Sequence, residues 1–410
     1  MNYQNKDLCK IRTITSFLCL DNNRESWGQK IQQAAQLCAD LSALFADKGY
    51  TVQSVRIVTN PFGEYLNTAS LTSARNDLSY LGNLLKSSDS SGVRVRFAIG
   101  EAKTTQEINL LPELVKEFGD LCNVCVNVGQ DDSGVLDNQQ IIQCAEAVVE
   151  ISKITPRGEG NFNFTVNFNC DPLIPYFPAS YHNKDIKDCF VIGLETPDLL
   201  VNVLKAFNQQ SESQLHNELF NGYFEAMSEA LQYHISDIHN IIEQSADLQG
   251  FAFAGFDSSA APSKNCSSMV DVYEQMGVDY FGASGTVEAS SLLTRVLKSI
   301  KGVDLVGFSG LMLALTEDTG LARGTMKSDF DIRALLTYSA VCGIGLDTVP
   351  IPGDTPVEKI AALMRDTGTM AFRLNKPLTV RVFPVPGLKA GEMTAFESDD
   401  LCNCAVLAVP

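Results

Sequence analysis

Carboxylates, hydroxyls and small residues gather at the ends of several apolar runs, and each cluster offers its own chemistry. The run LQGFAFAGFD closes on Asp257, followed by Ser258 and Ser259. That set can present a carboxylate and hydroxyls to a metal or substrate, or simply form a turn. In CGIGLDTVPIPGDTP, Asp347 follows a glycine-rich start and is a candidate general base or, with Asp257, a divalent-metal ligand. His182 ends NFNCDPLIPYFPASYH, a proline-stiffened loop that also carries Cys170, Asp171 and Tyr181, and it is the candidate acid or base. Apart from a divalent metal at these aspartates, the residues name no cofactor.

A small anion has three candidate docking points. Arg157 lies in the glycine-rich PRGEGNFNF and can fork onto a carboxylate or phosphate, unless the segment is an ordinary turn. Ser284, Gly285 and Thr286 open a helix whose free N–H groups and dipole attract negative charge; a plain N-cap is the alternative. Ser309 and Gly310, inside VGFSGLML, mark a close approach of backbone or ligand, while Glu317 and Asp318 beyond them can cap the next helix. Thr355, Pro356 and Glu358 read as a capping box with proline at the first helical position. If the chain is an enzyme, Asp257, Asp347, Arg157 and His182 are expected to meet in one cavity. No Ser-His-Asp order, HExxH helix, Walker loop, dinucleotide fingerprint or EF-hand loop is present.

The twelve cysteines are scattered through apolar segments of a long chain whose first residues lack an apolar leader, so they are expected to be reduced and buried. Cys122 and Cys125 form a CxxC in LCNVCVNVG, but in a strand that spacing points them to opposite faces. Cys402 and Cys404 share a face, leaving a disulfide or metal contact open beside core packing. His216, His234 and His239 fall in one helical stretch, Ser211 to Gln244, without an i, i+4 pair, which points to surface or packing roles.

Positioning these groups are β-branched runs that alternate with amphipathic stretches, the signature of parallel βα units. Ten runs are expected to be strands: IRTITSFLCLD, YTVQSVRIVTN, VRVRFAIGE, CNVCVNVG, FNFTVNFNCD, DCFVIGLE, LQGFAFAGFD, VDLVGFSGLML, GIGLDTVPIP and LTVRVFPVPG. Helices are expected at Ser26–Asp47, Leu71–Leu85 and Gln106–Phe118 among others. Many strands read as apolar on both faces, which suits a covered parallel sheet, and a barrel first of all. No Pro-, Gly- or Ser-rich linker divides the 410 residues, so one continuous domain is expected. With 49 acidic against 31 basic residues, the formal charge of −18 disfavours nucleic acid and anionic membranes as partners. No run reaches the roughly 20 apolar residues of a membrane span, and a cytoplasmic protein is expected.

The ordered motifs IRTIT with Asp21, VNVG at Val126 to Gly129, FGASGT, VGFSG with TEDTG, and GLDTVPIPGDTPVEKIAALM resemble a widespread family of unknown function, known by its likeness to pyruvate formate-lyase. The resemblance runs from about Ile11 to Val409. It implies a ten-stranded α/β barrel of the glycyl-radical-enzyme type, with halves at roughly 11–160 and 161–410 around a central site, often in a homo-oligomer. Radical enzymes of that kind carry an Arg-Val-x-Gly-Tyr motif and a finger-loop cysteine. Here RVFPVPGL keeps Arg381 and Val382 but puts Pro384 at the glycine's place, with Gly387 between Pro386 and Leu388; Cys170 and Cys342 are the candidate finger cysteines. Cys170 and Tyr181 also stand where the family is expected to have smaller or acidic residues. The expectation is a non-radical, lyase- or transferase-like enzyme acting on a small anionic metabolite at the barrel mouth. A metabolite-binding or regulatory protein without catalysis is the alternative, and a glycyl-radical enzyme the third reading.

Overall fold

A computed structural model of the chain describes residues 3–88, 95–211, 215–245 and 248–410. Its frame is a nine-stranded mixed sheet. In chain order the strands are β1 (Lys10–Leu18), β2 (Val55–Thr59), β3 (Val95–Glu101), β4 (Asn123–Val128), β5 (Phe164–Phe168), β6 (Cys189–Glu195), β7 (Ala252–Asp257), β8 (Gly345–Pro352) and β9 (Leu378–Val385). They lie in the order β7-β6-β1-β2-β3-β4-β5-β9-β8. Strands β1 to β5 are mutually parallel, each joined to the next by a crossover. The pairs β6–β7 and β9–β8 extend the two sides, each attached antiparallel, β6 to β1 and β9 to β5.

The first three crossovers contain α1 (Arg24–Asp47), α2 (Leu71–Ser88) and α3 (Thr105–Phe118). Local sequence explains where they start: the Asn23 side chain caps α1, and Thr104 with Glu107 forms a capping box on α3. In α1, Trp27, Ile31, Ala34, Cys38, Leu41 and Phe45 recur every three or four residues and are all buried. The expected capping box at Thr355 does not form. Pro356 is itself the N-cap of α4 (Val357–Arg373), and the Thr355 hydroxyl donates instead to the Pro352 carbonyl at 2.7 Å. The long stretch expected from Ser211 becomes a helix only at α5 (His216–Glu243), and residues 212–214 lie outside the described residues. Within it, His234 is buried against Tyr50 and the Tyr3 carbonyl, a packing role.

The two faces of the sheet differ, although β6 is apolar on both as expected, and Phe17, Val58, Ala98, Cys189 and Val191 form a smaller apolar cluster on the second face. Val55, Ile57, Phe97, Ile99, Val124, Val126 and Val166 join the main core with helix residues such as Leu41, Leu78, Leu111 and Met364. Other alternate positions are polar yet buried: Arg56, Asn123, Thr165, Asn167, Thr379 and Arg381. Because side chains alternate along a strand, these residues share the opposite, inner face. The loop 169–188 lies against that face. Its Pro175 carbonyl accepts from Thr15 and Arg56, its Ala179 carbonyl from Asn167, and the His182 N–H donates to the Thr59 carbonyl.

The eighth expected strand, VDLVGFSGLML, is not regular. Gly307 and Ser309 have φ of 63° and 39°, which breaks the pleat. The chain from 304 to 315 nevertheless touches both edges of the sheet. At β7, Phe256 N–H donates to the Asp304 carbonyl and Val306 N–H to the Phe256 carbonyl; at β8, Leu315 N–H donates to the Asp347 carbonyl. All twelve cysteines are free thiols, including Cys122, Cys125, Cys402 and Cys404. No helix among the described residues is long and apolar enough to cross a membrane.

Candidate functional site: an arginine and carboxylate cavity on the inner face

Arg381 projects from the middle of β9 and is 5 % exposed. Its Nε and Nη2 donate to the two Asp347 oxygens at 2.6 and 3.0 Å, and Nη2 also donates to Glu317 at 2.6 Å. This fork–fork geometry makes the pair strong and directional. The guanidinium also lies over the Phe162 ring, 4.9 Å from its centroid. Asp347 is aimed by an irregularity in β8: the register slips between Leu346 and Val349, and Thr348 has φ of 51°. A β-branched residue at positive φ is strained by about 1–3 kcal/mol, and such bulges re-aim side chains. Thr348 is held in place by accepting from the Thr316 N–H.

Arg12, Arg56, Phe177, Glu317, Asp347 and Arg381 line a cavity of about 40 Å³ beside this cluster. At roughly 10–15 Å³ per water, it has room for about three waters or one carboxylate group. Arg56 is 6 % exposed and has no carboxylate partner among the described residues. It donates to the Pro175 carbonyl at 3.0 Å and stacks on Phe177, while its Nε has no partner. Burial, with help from Arg12 and Arg96, pushes its pKa down to about 9. Burial also pushes the Glu317 carboxyl up, against the opposing pull of Arg381 and with Asp347 adding to the rise. Three arginines therefore face two carboxylates. The cavity lining thus has a surplus of positive charge inside an acidic protein.

The site residues named from the sequence do not all converge here; of Asp257, Asp347, Arg157 and His182, only Asp347 lines the cavity. Asp257 is fully buried at the end of β7 and saturated: it accepts from Phe308 N–H (2.8 Å), Ser309 N–H (3.0 Å), Ser259 N–H (3.0 Å) and the Ser259 hydroxyl (2.6 Å). Burial pushes its pKa up to about 6. Ser309 and Gly310 are tied into the same knot, Ser309 to the Val306 carbonyl and Gly310 N–H to the Ser259 hydroxyl. Arg157 sits on the surface between Glu159 and Glu397, at 2.5 and 3.0 Å. Ser284 and Gly285 are exposed at the start of α6 (Thr286–Leu297), and the Thr286 hydroxyl donates to the Ala283 carbonyl. Asp257 and Asp347 lie on opposite edge strands, and neither belongs to a group of three or more potential metal ligands among the described residues. His182 is fully buried near Phe17, and its pKa is pushed down to about 4 by burial.

Sequence reasoning missed Arg56 and Glu317 as site residues, and noted Arg381 only through a motif. The signal was present: SVRIV and TVRVF each place one arginine inside an otherwise apolar strand, where a charge is costly unless it is paired or functional.

Fold and site define the class: an α/β protein whose mixed sheet turns a buried, arginine-rich face toward a small cavity. Comparison with known proteins gives the particular family. A family profile described as "Uncharacterised ACR (DUF711)" matches residues 3–397, and the chain belongs to that family. Its relatives include a "UPF0210 protein" of Listeria monocytogenes, 26 % identical over 94 % of this chain and 88 % of its own length. Another "UPF0210 protein", from Carboxydothermus hydrogenoformans, is 28 % identical over 72 % of this chain and 65 % of its own. Among solved structures, the anaerobic ribonucleotide reductase of Thermotoga maritima, with citrate in the active site, is similar at a TM-score of 0.43 and 8 % identity, covering 90 % of this chain and 80 % of that one.

Proposed function

We propose that the segment 304–315 closes the sheet into a barrel and that the inner cavity binds a small anionic metabolite, which the protein converts by non-radical, lyase- or transferase-like chemistry. The observation that carries this reading is Arg56, a buried cation without a carboxylate partner among the described residues. Burying a charge is expensive unless something neutralises it, and a bound carboxylate or phosphate would do so. Arg12 and Arg56 would receive the anion. Glu317, with its raised pKa, would hold a proton for transfer, and Asp347 would fix the Arg381 guanidinium. A binding protein without turnover is favoured by one further observation, that both Asp347 oxygens are engaged by Arg381. Glycyl-radical chemistry is disfavoured by Gly387, which lies in an exposed turn with open space around its Cα, whereas a radical needs enclosure.

The test is a thermal-shift series with formate, acetate, phosphate and small di- and tricarboxylates on the parent and on Arg56→Gln. A ligand at 100 times its Kd adds about 2.7 kcal/mol of stability. The expected result is a shift in the parent that Arg56→Gln loses. Equal shifts in both proteins, or none in either, would remove the proposal. Turnover of the stabilising anion that falls in Glu317→Gln separates the enzyme from the binding protein.

A further inference from the structure

Three strand ends meet at one corner of the inner face. Cys19 directly follows β1, and Asp188 directly precedes β6, the antiparallel neighbour of β1; the Cys19 N–H donates to the Asp188 carboxylate at 3.2 Å. His182 is held at the end of β2 by its N–H bond to the Thr59 carbonyl at 3.1 Å. The Cys19 thiol, one His182 ring nitrogen and one Asp188 carboxylate oxygen all lie within 4.8 Å of one another.

His182 supplies a second, independent sign. Its side chain is fully buried, yet neither ring nitrogen has a hydrogen-bond partner. A buried polar atom left unmatched costs about 1–3 kcal/mol, so an imidazole with two of them calls for an explanation. Packing against Phe17, with ring centroids 6.0 Å apart, explains the ring carbons but not the nitrogens. A Cys–His–Asp nucleophile system would need hydrogen bonds from thiol to imidazole and from imidazole to carboxylate. Instead, the Cys19 thiol donates to the Asn183 carbonyl at 3.5 Å, and Asp188 accepts from the Cys19 backbone.

We propose that Cys19, His182 and Asp188 form a transition-metal site, of the kind zinc occupies. Thiolate, imidazole and carboxylate are the ligand types such a metal takes, and three protein ligands leave one position open for water or a substrate atom. Thiolate and carboxylate together carry two negative charges, which match a divalent cation; binding releases the thiol proton to solvent. The residues differ from the aspartates that the sequence first suggested, and the inference stands independently of the anion cavity.

The test uses the full-length chain, stripped with chelator and titrated with Co²⁺. The expected result is one Co²⁺ per chain with a thiolate-to-metal absorption band, abolished in Cys19→Ser and weakened at least about tenfold in Asp188→Asn. Zn²⁺ should displace the Co²⁺ and, in the parent, protect Cys19 from alkylation as mapped on peptides. That last reading decides the matter even if a variant fails to fold. No uptake, a band that survives Cys19→Ser, or a Cys19 alkylated equally with and without Zn²⁺ overturns the proposal. Rapid Zn²⁺-insensitive alkylation at Cys19 would assign it as a nucleophile instead.

Discussion

The two edges of the sheet each bring an aspartate to the same irregular segment, and they use it in opposite ways. On β7, the Asp257 side chain adds to the main-chain bonds of Phe256, its oxygens filled by two main-chain N–H groups of that segment and by Ser259. On β8, the main chain of Asp347 does the joining through the Leu315 N–H, which leaves the side chain to grip Arg381. Sequence treats the two alike, as a carboxylate close behind a glycine in an apolar run. Their partners separate them. A carboxylate saturated by backbone donors holds a loop in shape, whereas one engaged by a side chain at a cavity wall can respond to what enters.

The contrast breaks most visibly at Asp257. Asp257→Ala leaves the donors of Phe308, Ser309 and Ser259 buried and unmatched and is expected to cost about 4 kcal/mol in urea unfolding. A loss below about 1 kcal/mol would show that the segment is held by other means. Arg381→Leu is expected to cost about 3 kcal/mol, since it strands Asp347 and Glu317 without a counter-charge. Adding Asp347→Asn should recover part of that loss, and a double variant no better than the single would contradict the pairing.

The last effect is one of pH. Folding raises the Asp257 pKa from an ordinary 3.8 to about 6, so the folded state favours the protonated acid. Its contribution is complete below about pH 4 and is lost as the pH rises through about 6. Relative to Asp257→Asn, the parent should therefore lose stability across that window. A constant difference would mean that the four hydrogen bonds outweigh burial.

Most of the frame was legible from the sequence. β-branched runs bounded by small residues located all nine strands of the sheet, because pleat and period are local properties. VDLVGFSGLML misled because its apolar pattern says nothing of the backbone torsions at Gly307 and Ser309, where a Cβ on Gly307 would collide with the Asp257 carboxylate. Thr355 misled because a capping box also needs the chain to enter the helix at that residue, and it enters at Pro356. The site was legible only in part. Asp347 was singled out, but its partners come from β2, β9 and the segment after 315, and no local spacing records which strands become neighbours. The meeting of Cys19 with His182 likewise depends on β6 turning back along β1.

That assembly gives the site a history in the life of each molecule. Arg12 and Arg56 belong to β1 and β2 and are made before Glu317, Asp347 and Arg381, which come from the segment before β8, from β8 and from β9. Parallel strands β1 to β5 can pair as they emerge, but the distant β8–β9 pair must wait, and such long-range pairing is slow. An unfinished chain thus displays the early arginines without their later carboxylates.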